Sequence, residues 1–193
     1  MLEAFQDIIL PAAKICFSTD EEGLLIFKEK AVQSKIKRLS IQKVPQQSFA
    51  FTLDYQPKNN KCFKQLSCYV DPANAKGVNK GCDLVIVTQK NCYWYILLIE
   101  LKSDKPNIKE TELQLQNSEL FVRYLVSMLE RYYNIDTKNI QYRSAMVTTS
   151  KSGIKASTYK PNDSKCALGN LLRIPVQVKN GEASTYLGKF LGG

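Results

Sequence analysis

Asp83, Glu100 and Lys102 are the residues whose types and spacing best suit one chemistry in this chain. Glu100 and Lys102 close an apolar run, Tyr93-Trp94-Tyr95-Ile96-Leu97-Leu98-Ile99. Asp83, seventeen residues before Glu100, opens another, Leu84-Val85-Ile86-Val87. Side chains alternate along a strand, so Glu100 and Lys102 project from one face. If 83–88 and 93–101 form a hairpin about Gln89-Lys90-Asn91-Cys92, Asp83 falls opposite Glu100 to within a residue or two. Two opposed carboxylates repel unless a cation lies between them. Oxygen ligands and a chain without histidine favour Mg²⁺ or Mn²⁺ over zinc. Asp83 and Glu100 would hold the metal, with the Leu101 carbonyl as a further ligand. Such a metal polarises a phosphodiester and acidifies a bound water. Lys102 would orient or deprotonate that water and offset charge in the transition state.

The bland alternative is a structural Glu–Lys pair at a strand end. The apolar run before it argues for a central strand, where a charged pair is costly without a partner. Asp71 is the rival acid, but it precedes Pro72 and reads as a turn residue.

The elements that must position these residues form an α/β pattern. Residues 2–17 read as a helix interrupted at Pro11, and Ser18 to Glu22 as the start of a second helix running to about Lys37. Residues 41–55 read as strand, 66–70 as a short strand, 72–81 as a loop, 143–149 and 171–178 as strands, and 187–193 as a poorly ordered Gly-rich tail. Residues 109–133 have helical periodicity, with Leu113, Leu120, Phe121, Tyr124, Leu125, Met128, Leu129 and Tyr132 as the expected buried face. Gln114 is in phase with that face and would reach the region above Lys102 to bind water or a phosphate oxygen; a boundary glutamine without a role is the alternative. Gln116 should be solvated. The expected fold is a central mixed β-sheet flanked by helices, in one domain spanning 1–193.

Net charge is +9, from 27 basic and 18 acidic residues, which suits a polyanionic partner, nucleic acid before acidic lipid. Lys28, Lys30, Lys35, Lys37, Arg38 and Lys43 form one basic stretch, and Lys151, Lys155, Lys160 and Lys165 another. Tyr93, Trp94 and Tyr95 read as core rather than as a base-stacking platform. The six cysteines lack C-x-x-C pairing and are expected to be free, buried thiols. With no histidine, histidine-based acid–base and nucleophilic catalysis is excluded. No apolar stretch reaches membrane-spanning length, and the first ten residues lack a basic leader, so the cytoplasm is the expected location.

Gly81-Cys82-Asp83, the apolar strand, Glu100-Leu101-Lys102 and Gln114 together resemble the core of the PD-(D/E)XK nuclease-like superfamily, over about residues 70–150. Cys82 stands where the superfamily usually has proline. The resemblance implies a restriction-endonuclease-like fold and hydrolysis of phosphodiesters, with DNA as the expected substrate. It assigns Asp83 and Glu100 to the metal, Lys102 to catalysis and Gln114 to the helix glutamine. Many branches add a first-helix acid, for which Glu21, Glu22 and Glu29 are available. A non-catalytic nucleic-acid-binding or protein-interaction module on the same fold is the alternative, and a homodimer is compatible with either.

Overall fold

A computed structural model describes residues 1–18, 21–55, 66–71, 73–102, 106–150 and 171–191. Helix α1 spans Leu2–Ile8 and a 3-10 turn follows at Pro11–Ala13. The next strands are β1 (Lys14–Ile15), β2 (Leu25–Lys28), β3 (Arg38–Gln42) and β4 (Ser48–Phe51). The central pair is β5 (Leu84–Lys90) and β6 (Tyr93–Lys102), followed by helix α2 (Ile108–Tyr133) and β7 (Ile140–Thr149). The chain closes with β8 (Leu172–Val176), β9 (Val178–Lys179), β10 (Glu182–Tyr186) and a 3-10 turn, Leu187–Phe190.

Two mixed sheets result. One has six strands in the order β1-β4-β5-β6-β7-β8, antiparallel as far as β6 and parallel beyond it. The other has the order β2-β3-β10-β9, with β3 and β10 parallel. Alternate residues of β5 and β6 enter two cores. Val85, Val87, Ile96 and Leu98 pack under α1 and α2. Leu84, Ile86, Leu97 and Ile99 pack against the four-stranded sheet through Leu25, Leu39 and Ile41. The near-continuous apolar runs follow from this burial on both faces. The protein is therefore α/β with mixed sheets, as expected. Helices cover one face of the large sheet, however, and a second sheet covers the other.

Several local expectations are corrected. No helix runs from 18 to 37 among the described residues. Leu25 and Phe27 are buried while Lys28 is exposed, a period-two pattern, and β2 pairs with β3. Lys37 and Arg38 both donate backbone N–H groups to the Gly181 carbonyl, so a partner distant in sequence outcompetes local helix formation. The first helix ends at Ile8, and Lys14–Ile15 is already strand. The 41–55 strand is in fact β3 and β4, separated by a turn. Residues 66–70 are turns, because Asn79 satisfies their backbone in place of a neighbouring strand. It accepts from Ser67 N at 2.8 Å and donates to Ser67 O and Val70 O. Residues 187–190 are ordered by Leu187 and Phe190, both buried in the second core.

Helix α2 is rolled relative to its expected orientation. Leu125 and Leu129 are buried as predicted, and Phe121 and Met128 are half-buried, but Leu113, Leu120, Tyr124 and Tyr132 are exposed. Thr111, Leu115, Ser118 and Val122 face the sheet instead. Ser118 explains the roll: its hydroxyl accepts from Cys82 N at 2.8 Å and donates to Gln114 O at 2.8 Å. A small polar residue lets helix and sheet approach, and a hydrogen bond at that contact has no apolar substitute.

Candidate functional site

The β5–β6 hairpin has a two-residue connection, Asn91-Cys92, with Asn91 at φ 56° in the left-handed region that asparagine tolerates. Its register, Leu84 opposite Ile99, sets Asp83 opposite Glu100 when extended by one pair. Two hydrogen bonds lock that pairing. Asp83 N donates to Glu100 Oε2 at 3.3 Å, and Leu101 N donates to Asp83 Oδ2 at 2.7 Å. Lys102 Nζ contacts Glu100 Oε1 at 2.7 Å. It also donates to Gln114 Oε1 at 3.3 Å. Gln114 Nε2 in turn donates to Gly81 O at 2.7 Å, so α2 is tied to the backbone just before Asp83. Gly81 is required here: a Cβ would lie 2.8 Å from both Leu53 Cβ and Leu66 Cδ2.

The structure thus brings Asp83, Glu100, Leu101, Lys102 and Gln114 to one pocket of about 380 Å³. Gln114 reaches it from the border of the buried helix face, not from its centre. Gln116 is half-buried rather than solvated. Asp71 is exposed and accepts from Ala73 N at 2.9 Å, a turn residue as read.

Two further acids line the pocket. Glu29 is one of the three acids considered for a first helix, but it follows strand β2. Its Oε1 accepts from Ala31 N. Glu21 and Glu22 are exposed and do not line the pocket; Glu22 accepts from Gln46 Nε2 at 2.6 Å. Asp54, just beyond β4, is the residue that sequence reasoning missed. The available signal was Phe49-Ala50-Phe51, a buried strand antiparallel to β5, which delivers the next residues to the Asp83 end of the hairpin.

Burial dominates the electrostatics. It raises the Asp83 carboxyl well above the usual range; Glu100 adds to this and the Leu101 N–H opposes it. Burial lifts Glu100 to about 7 against the opposing pull of Lys102. For Lys102, burial pulls the ammonium down, but Glu100 and Asp83 outweigh it and hold its pKa above the ordinary value. Desolvation raises Asp54, and Glu29 adds to it against Lys30 and Lys102. Burial also pushes the Cys82 thiol far up, leaving it an inert core residue.

These donors fit a hard divalent cation. Asp83 and Glu100 each spend one oxygen on a backbone N–H and line the pocket, where the other Glu100 oxygen is held by Lys102 Nζ and an ion would have to share or displace that contact. Among the described residues, no group of three or more His, Cys, Asp or Glu side chains is placed to hold a metal ion. Two carboxylates completed by carbonyl and water oxygens is the usual Mg²⁺ arrangement; zinc structural sites need four protein ligands.

Other sequence candidates lie elsewhere. Tyr93 is exposed, and Trp94 and Tyr95 are half-buried at the turn end of β6, about 20 Å from Glu100 at strand rise. They are neither full core residues nor near the pocket. Cys82 is buried, whereas Cys16, Cys68 and Cys92 are free but exposed. Cys62, Cys166 and the basic stretch at 151–165 lie outside the described residues. Among the described residues, no helix is long and apolar enough to cross a membrane. No family model, curated protein or solved structure matches the chain.

Proposed function

We propose that this chain is a Mg²⁺-dependent nuclease of PD-(D/E)XK type, with a restriction-endonuclease-like core, acting on DNA in the cytoplasm. The observation that carries this reading is the convergence of Asp83, Glu100, Lys102 and Gln114 on one pocket at the open end of a buried hairpin. Asp83, Glu100 and the Leu101 carbonyl would hold the metal. Bound there, the ion would supply Lewis-acid activation of the phosphodiester and of a water. The chain's own groups do the rest. The Leu101 N–H fixes one Asp83 oxygen, so the carboxylate presents the other. Lys102 is a cation while paired with Glu100, so its role in that state is to orient water and offset negative charge, not to accept a proton. Gln114 holds Lys102 on the Asp83 side and is itself held by Gly81.

The competing reading is a non-catalytic module on the same fold. The closed Lys102–Glu100 pair favours it, since that pair is satisfied without any ion. The deciding experiment incubates the protein with plasmid, single-stranded DNA and RNA in Mg²⁺, Mn²⁺ or EDTA, beside Glu100→Ala and Lys102→Ala. Metal-dependent cleavage lost in both variants is the expected result. Cleavage surviving both substitutions would sink the site assignment, and no cleavage and no metal binding under any condition would favour the non-catalytic module.

A further inference from the structure

Gln114 belongs to two pockets. One is the acidic pocket described above. The other is a cleft of about 510 Å³ between the 75–80 loop and the first turns of α2. Its wall carries Val78 and Leu113, two large apolar side chains left 44% and 45% exposed. Lys76 and Lys109 stand on its rim, exposed and without a salt-bridge partner among the described residues. Asn117 lines it too, held by donating its Nδ2 to Gly77 O at 3.0 Å.

We propose that this cleft seats one unpaired nucleotide beside the phosphate presented to Asp83 and Glu100, which makes the substrate class single-stranded nucleic acid. This rests on the nuclease reading for the neighbouring pocket. The chemistry of the wall selects the occupant. A nucleotide has an apolar base face, polar base edges and an anionic phosphate. The cleft offers Val78 and Leu113 to the first, the side-chain carbonyl of Asn117 to the second, and Lys76 and Lys109 to the third. Its volume falls in the range of small-ligand pockets, roughly 300–1,000 Å³, which suits one nucleotide; a base stacked and paired within a duplex has no free face to give Val78 and Leu113. Apolar contact with a base face is tolerant of sequence, since every base has such a face. The wall is therefore expected to select strandedness without selecting a base.

The test is equilibrium binding of short single-stranded and duplex DNA and RNA of equal length, in EDTA, by fluorescence anisotropy. Wild-type protein is expected to bind single strands at least tenfold tighter than duplex. Leu113→Glu should weaken single-strand binding about tenfold and leave duplex binding within about threefold. Lys76→Ala with Lys109→Ala should lower the salt slope of single-strand binding by roughly 0.7 per lysine. These positions are exposed, and thermal melting checks that each variant is folded. Equal or tighter duplex binding, or a Leu113→Glu protein that binds single strands like wild type, overturns the proposal. The two readings fail separately. Single-strand binding sensitive to Leu113→Glu without any Mg²⁺-dependent cleavage keeps the cleft and sinks the nuclease. Metal-dependent cleavage with Leu113→Glu binding unchanged does the reverse.

Discussion

Two lysine–glutamate pairs flank the first turns of α2, and their geometry is nearly the same. Lys102–Glu100 closes at 2.7 Å and Lys80–Glu110 at 2.8 Å. Their surroundings differ: the Glu100 side chain is 3% exposed and that of Glu110 52%. The carboxyl pKa values move in opposite directions. Lys80, through its hydrogen bond and charge, lowers Glu110. Burial lifts Glu100 to about 7 although its lysine is just as close. The distance between two charges therefore says little about a pair; what their environment costs the charged forms decides it. An exposed pair is an ordinary surface contact. A buried one holds a carboxylate whose charge a metal would stabilise.

The largest expected effect breaks the likeness outright. Glu100→Ala should lower metal-dependent cleavage by at least about a hundredfold, while Glu110→Ala stays within a few-fold, in the same plasmid and single-strand assays. Equal losses would mean that burial does not separate the two pairs.

The pH response sharpens the contrast. Glu100 in the folded protein holds its proton up to about 7, whereas the unfolded chain releases it near the ordinary value of 4.5. The stability associated with that proton is present at low pH and is lost as pH rises through this window. Metal-free protein should therefore melt at least roughly 5 °C lower at about pH 8 than at about pH 5. Saturating Mg²⁺ should remove much of the difference, because an ion at the proposed site would favour the ionised form. Calorimetry with and without Mg²⁺ checks both, and a metal-free melting temperature that rises over the same interval would contradict the sign.

Gly81→Ala tests the scaffold behind the buried pair. The new methyl would lie 2.9 Å from Leu53 O as well as against two side chains, at a cost of about 1–3 kcal/mol by denaturant unfolding. Because Gly81 O anchors Gln114, activity should fall by more than stability alone explains. The smallest effect belongs to the exposed pair: Lys80→Ala should change stability by about 0.2–1 kcal/mol, less at high salt.

Much of the site was legible because it is local in sequence. The two apolar runs, the short connection and period-two alternation predict the β5–β6 hairpin, and register follows from the turn. That is enough to set Asp83 beside Glu100 with Lys102 on the same face. Gln114 was also legible, though the helical face used to find it was rolled away from the actual contact. Hydrophobicity ranked Leu113, Leu120 and Tyr124 above Thr111 and Ser118. The sheet selected the small residues, which allow close packing and a hydrogen bond to Cys82.

Residue type and alternation alone thus determined the hairpin and the acid–acid–lysine set, for the physical reason that a hairpin joins neighbours in the chain. Only the tertiary structure decided what surrounds them. Strand β3 pairs with β10 from the opposite end of the chain, which builds the second sheet and turns the expected second helix into β2 and a turn. Glu29 reaches the pocket through that folding, and Asp54 through the pairing of β4 with β5. Exposure, which separates Glu100 from Glu110, likewise depends on atoms far away in sequence, and no local pattern of residues encodes it.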